Sequence, residues 1–140
     1  MEIKLTAEQE KIHKELLQII NRIEIQLMTE IDPKDTNLIQ SEILQRGILL
    51  SHSAKCLSWA TALFDNAHGQ LAEYMLTNEQ MHEAKQTIIS SWMKGKLAKW
   101  NALYVRTESV LKKLDRSIEG LISVLAYERE LMRNELRTNQ

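Results

Sequence analysis

The sequence predicts an all-α protein, and three observations carry that prediction. Apolar residues recur every three or four positions through long stretches. Only four Gly and one Pro punctuate 140 residues, too few turn residues for an all-β fold. The third is a ladder, Leu97, Trp100, Tyr104, Thr107, Leu111, Leu114, Ile118, Leu121 and Leu125, which keeps its 3-4 spacing without a slip. Such a ladder is the narrow seam of one long helix built to pack lengthwise on another.

The elements run in order from the N-terminus. Thr6 and Gln9 form a capping-box pair, and Ile12, Leu16, Ile19, Ile23 and Leu27 come after them at helical spacing, giving a first helix over about 7–30. Asp32-Pro33-Lys34-Asp35-Thr36-Asn37 breaks the chain, because Pro33 pushes its predecessor out of the α region and Asp35 or Thr36 can cap the next helix. A second helix then runs over about 37–76 with no evident stop. Gly47 and Gly69 lie inside it, and a helix that accepts them has either a packing reason or a local kink there. Thr77-Asn78-Glu79 reads as a turn with a new cap. A weaker segment over about 79–94 carries Met81, Ile88, Ile89 and Trp92, and Gly95 separates it from a last helix over about 96–137.

The second helix has its own seam. One column holds Ile43, Leu50, Leu57, Phe64 and Leu71; its partner column holds Arg46, Ser53, Ala60, Ala67 and Tyr74. Bulky residues pair with small ones, so two backbones can approach closely. The expected fold is one domain, 1–140. It is an elongated antiparallel hairpin or bundle of two helices of about forty residues, plus the N-terminal helix and a short connecting helix. Leu50, Leu57, Phe64, Leu111, Leu114, Ile118, Leu121 and Leu125 are the expected assembly seam, and long thin helices with so little interior favour a homodimer or higher homo-oligomer.

The apolar stretches are interrupted by Lys, Glu and Gln, so no membrane span is expected. The start of the chain lacks the basic and apolar pattern of a signal peptide, and a single Cys56 cannot form an internal disulfide. A cytoplasmic location is the simplest expectation. The net charge of −1 hides an asymmetry: residues 1–85 carry 8 Lys/Arg against 13 Asp/Glu, whereas residues 86–116 carry 7 against 2.

Several constellations bear on chemistry. Glu10/His13 and Glu79/His82 have the Glu-x-x-His spacing of di-iron bundles, but both pairs lie in first helical turns, where carboxylates are favoured anyway. Arg46 and His52 have the loose spacing of HEPN-type ribonucleases, in which an Arg holds phosphate and a His moves a proton; six positions along a straight helix point them apart. Cys56 has Lys55 and His52 nearby, a basic setting of the kind that lowers a thiol pKa, though a small packing role is the plainer reading. No catalytic residue, metal ligand or cofactor is assigned. The best clue is basic: Lys94, Lys96, Lys99, Arg106, Lys112, Lys113 and Arg116, interleaved with Trp92, Trp100 and Tyr104, as in proteins that track a nucleic-acid backbone and stack on bases. The pI near 6.4 is low for a dedicated nucleic-acid binder.

The stretch from Val110 to Glu128, VLKKLDRSIEGLISVLAYE, and the small-rich run Gly47-Ile48-Leu49-Leu50-Ser51-His52-Ser53-Ala54 resemble short all-helical proteins of uncharacterised function from phages and mobile elements of Bacteroides-like bacteria. The resemblance covers about half the chain, implies a mobile-element context, and supplies no catalytic residues. The leading expectation is a non-enzymatic, oligomeric helical interaction or accessory protein, whose partner is another copy or another protein. The alternatives are a nucleic-acid accessory protein using the 94–116 face, and an oligomeric binder of a small anionic or nucleotide-like ligand through Arg46, Arg106 or Arg116. A HEPN-like ribonuclease is the remotest.

Overall fold

The computed structural model describes residues 1–139, which form an all-α bundle with no β-strand among them. Its helices are α1 (Ala7–Met28), α2 (Thr36–Leu50), α3 (Ser53–Thr77), the single turn α4 (Glu79–His82) and α5 (Gln86–Thr138). They contribute to two compact units. Unit 1 comprises Met1–Gln18 and Ala54–Glu108; unit 2 comprises Ile19–Ser53 and Ser109–Gln140.

The caps are those the residue types dictate. The Thr6 N–H donates to Gln9 Oε1 at 2.9 Å, and the Gln9 N–H donates to Thr6 Oγ1 at 3.2 Å. This reciprocal pair satisfies two N–H groups that α1 cannot bond internally. Asp35 caps α2 by accepting from Leu38 N–H at 3.0 Å. Asn78 caps α4 by accepting from Gln80 N–H at 3.0 Å.

Two element boundaries differ from the sequence expectation. The expected second helix is broken at Ser51-His52 into α2 and α3. There the Ser51 hydroxyl donates to the Ile48 carbonyl, and His52 N–H reaches only to Leu49 O, three residues back, at 3.1 Å. A serine hydroxyl competing for a helical carbonyl disrupts the helical ladder at that point. Gly69 lies inside continuous α3, and a Cβ at Gly47 or Gly69 would meet open space, so neither glycine serves packing or a kink. Gly95 interrupts nothing: the break falls at 83–85, inside the segment expected over 79–94, so only the turn α4 remains of it and α5 runs through Gly95 for 53 residues. The pair of matched forty-residue helices is therefore replaced by a broken α2–α3 and a longer, unbroken α5.

In unit 1, α3 turns its small column inward. Cys56, Ala60, Leu63, Ala67 and Leu71 are buried, while Leu57 and Phe64 are only half-buried. The seam expected from Leu57 and Phe64 is thus rotated toward the small residues, because close backbone approach needs small side chains at the contact. Ile89, Trp100, Leu103 and Thr107 of α5 and Leu16 of α1 complete this interior. The buried Thr107 hydroxyl is satisfied by the Leu103 carbonyl at 2.7 Å. Trp92 lies against Tyr74 with ring centroids 5.5 Å apart, and His13 against Trp100 at 5.3 Å.

Unit 2 buries Ile20 and Ile23 of α1, Ile39 of α2, and Val110, Leu111, Leu114 and Leu125 of α5. Ile118 and Leu121 are half-buried, as is Leu50. Leu114 is fully buried within the single chain. It is therefore an interior residue of the protomer, and a charge placed there would unfold the chain instead of testing assembly.

Candidate interaction surfaces

Unit 2 carries the only buried charges among the described residues, Glu42 and Arg46. They sit one turn apart on α2, and Arg46 Nε donates to Glu42 Oε2 at 3.1 Å. The guanidinium also donates to the Gln26 carbonyl at 3.0 Å, and the Gln26 amide donates to Glu42. Both charged groups therefore have hydrogen-bonded company, the condition under which a buried ion pair is tolerated. This arrangement corrects two expectations: with its guanidinium buried and engaged, Arg46 presents no free cation to a substrate phosphate beside His52, nor to an anionic ligand. The Glu-to-Arg i,i+4 spacing is a visible pairing signal; what it does not show is burial.

The other candidate chemical groups are dispersed. His82 shares a hydrogen bond with the Leu76 carbonyl at 3.2 Å. No group of three or more His, Cys, Asp or Glu among the described residues could hold a metal ion. Burial holds the His13 imidazole below its ordinary pKa, and the nearby Lys99 charge adds to the effect. Burial likewise pushes the Cys56 thiol up, against a smaller opposing pull from Lys55. The net effect is opposite to the activated thiolate that a basic neighbourhood suggests, and Cys56 is a packing residue of α3.

The seven basic side chains of α5 expected to form a binding face are all exposed. Lys94, Lys96, Lys99 and Arg106 belong to unit 1; Lys112, Lys113 and Arg116 belong to unit 2. Lys96 Nζ donates to the Met1 carbonyl at 2.8 Å, and Lys99 Nζ lies 4.9 Å from the centroid of the Trp100 ring. The aromatic residues interleaved with them face the interior: Trp100 is buried, and Trp92 and Tyr104 are half-buried.

Apolar surface remains uncovered in both units. In unit 1, a groove of about 580 Å³ is lined by Phe64, Met93, Leu97, Ala98, Ala102 and Val105, with Lys94 and Asn101 as its polar members. In unit 2, a groove of about 310 Å³ lies between α1 and α2, lined by Arg22, Ile25, Gln26, Gln45, Ile48 and Leu49. Of the thirteen large apolar side chains exposed among the described residues, nine lie in unit 2: Ile25, Met28, Leu44, Ile48, Ile122, Tyr127, Leu131, Met132 and Leu136. Sequence reasoning missed these positions. The available signal was the 3-4 spacing itself, which continues past Leu125 through Glu128 to Met132; the carboxylate hid the continuation. No helix among the described residues is long and apolar enough to cross a membrane. No protein-family model, curated protein or solved structure matches the chain.

Proposed function

We propose that this chain is a non-enzymatic helical interaction protein that works as a self-associated assembly. The observation that carries this reading is the concentration of uncovered apolar side chains in unit 2, nine of thirteen. Scattered apolar side chains on a protein surface are ordinary, whereas contiguous apolar patches mark interaction sites. Here several of them recur at helical spacing on the end of α5 and beside the α1–α2 groove. Among the described residues no cluster of activated groups competes for the functional role: the Cys56 thiol is buried and its pKa raised, and the buried Arg46 cation is paired. A buried, unpaired thiol also suits a reducing, cytoplasmic setting. Sedimentation velocity over about 1–100 μM tests the reading, a span that detects micromolar association. A mass above the monomer, rising with concentration, is expected. A monomer throughout this range overturns it.

A second reading, nucleic-acid association, is favoured by the exposure of all seven of those basic side chains of α5. The neighbouring rings decide the form it would take. Trp100 is buried and Trp92 is stacked on Tyr74, so the stacking half of single-strand recognition has no exposed platform there. Binding would be through phosphates, indifferent to sequence, and steeply salt-dependent because counterions are released. Titration of single- and double-stranded DNA and RNA at low salt tests it. Equal affinities that collapse with added salt support the reading; no binding at low salt removes it.

A further inference from the structure

Unit 2 leaves two apolar surfaces uncovered, and they complement each other. The first is the C-terminal end of α5. The seam of Leu114, Ile118, Leu121 and Leu125 continues at unchanged spacing through Glu128, Met132 and Glu135. Residues 129–139 are nevertheless exposed at every position. The helix goes on presenting its seam, and the apolar residue beside it, where its own chain leaves them exposed: Met132 is 45% and the neighbouring Leu136 66% exposed. The free stretch is apolar and acidic on one face, with Glu128 and Glu135 set among Leu131, Met132 and Leu136. Arg129, Arg133 and Arg137, four apart, share a different face.

The second surface is the groove of about 310 Å³ between α1 and α2. Its walls include Ile25, 68% exposed, and Ile48, 56% exposed. Arg22 also lines it, and no carboxylate of the described residues pairs with it. An apolar trough with a cation in its lining is the complement of an apolar stripe carrying carboxylates. The ten helical residues 129–138 extend about 15 Å at ~1.5 Å per residue, ample to cross a groove whose α1 wall is one turn long.

We propose that the last turns of α5 from a second copy of this chain occupy the α1–α2 groove of unit 2, and that the exchange is reciprocal, closing a twofold dimer. The inference rests on the self-association reading and adds the partner, the surfaces and the stoichiometry. A second copy fits better than a foreign helix because one chain carries both halves of the complement and covers neither. Reciprocal exchange uses each half once and leaves no open end, as an isologous interface requires.

The test uses the full chain and four side chains whose exposure keeps the protomer fold insensitive to them. One variant carries Met132→Glu and Leu136→Glu; the other carries Ile25→Glu and Ile48→Glu. Circular dichroism confirms unchanged helicity in each. Sedimentation equilibrium is expected to show a wild-type dimer and a dissociation constant at least about tenfold weaker in either variant, the effect of losing buried anchor residues. Mixing the two variants, one fluorescently labelled, restores one of the two contacts, so a mixed dimer tighter than either self-dimer is expected. Arg22→Glu weakens the dimer, and adding Glu128→Arg and Glu135→Arg to the same chain recovers it. A monomeric wild type overturns both this proposal and the self-association reading. A wild-type oligomer indifferent to one or both double variants overturns the proposal alone. So does a mixture that associates no better than its components, which points to tail-to-tail pairing.

Discussion

Unit 1 closes its interior with small residues and rings, whereas unit 2 closes its interior around a charge pair. In unit 1, Cys56, Ala60 and Ala67 let α3 sit close to its neighbours, and Trp100, Leu103 and Leu71 fill the remaining volume. In unit 2 the interior is aliphatic, with Ile20, Ile23, Ile39, Leu111 and Leu114, and it also encloses Glu42 and Arg46. The same unit leaves nine large apolar side chains outside. Apolar helices that are not fully covered by their own chain can slide or rotate against one another with little penalty. A buried ion pair opposes that freedom, since a shifted helix would bury a charge without its partner. On the proposed reading, unit 1 would supply cohesion and unit 2 the contact with a second copy.

The largest expected effect breaks unit 2 at that pair. Arg46→Ala leaves the Glu42 carboxylate buried and uncompensated, and should cost about 3–5 kcal/mol in urea unfolding; Glu42→Ala should cost a similar amount. Replacing both, with Glu42→Leu and Arg46→Met, should be neutral or stabilising, because no charge is then left to desolvate. If either single variant is as stable as wild type, the pair does not organise unit 2. Next in size is Leu114→Ala, at about 2–5 kcal/mol for a fully buried leucine, with cooperative loss of helicity by circular dichroism. That outcome separates Leu114, an interior residue, from Met132 and Leu136, which should change association while leaving the monomer's own stability unchanged.

Unit 1 should respond to added volume. Ala60 has no exposed surface, and its small size sets the helix spacing. Ala60→Leu should therefore destabilise by about 1–3 kcal/mol, the range for overpacking a tight contact. Gly95→Ala acts in the opposite direction. Gly95 is exposed in continuous α5 with open space around it, so the substitution should stabilise by up to about 1 kcal/mol in thermal melts. A loss of stability there would mean that α5 needs freedom at that point.

Much of the contrast between the units is legible in the sequence, and the parts that are not share a physical cause. The all-α class, the Thr6–Gln9 box, the Asp35 cap and the 97–125 ladder depend on local spacing and short-range hydrogen bonds, which a single chain displays directly. Hydrophobicity ranks Leu57 and Phe64 above Ala60 and Ala67, yet the contact selects the smaller residues because helix separation is decided by both partners. Gly95 suggests a break, but one glycine costs less than the surrounding packing returns. The break at Ser51 comes from a hydroxyl choosing a carbonyl three residues back, one of several bonds that serine could make. Arg46 stands out in the sequence for its charge; its burial depends on α1, which supplies Gln26 from twenty residues away.

The smallest effect concerns His13, and it sharpens the comparison because unit 1 holds the only resolved histidine shift among the described residues. Burial against Trp100 and the charge of Lys99 lower the folded pKa below 6.5, so the folded state takes up a proton less readily than the unfolded one. Well above pH 6.5 both states hold a neutral imidazole, and the residue contributes no pH dependence. As pH falls below 6.5, the unfolded chain binds the proton first and is favoured by it. Stability should decline through that window and stop declining, as far as His13 is concerned, below the folded pKa. His13→Phe preserves a ring beside Trp100 and removes the titration, so urea midpoints compared across this range should lose part of their slope. Lys99→Gln removes the second cause and should lessen the slope by a smaller amount. Equal slopes in wild type and His13→Phe would show that the imidazole gains and loses its proton alike in both states, and that unit 1, unlike the charged interior of unit 2, keeps its ionisable groups outside its energetics.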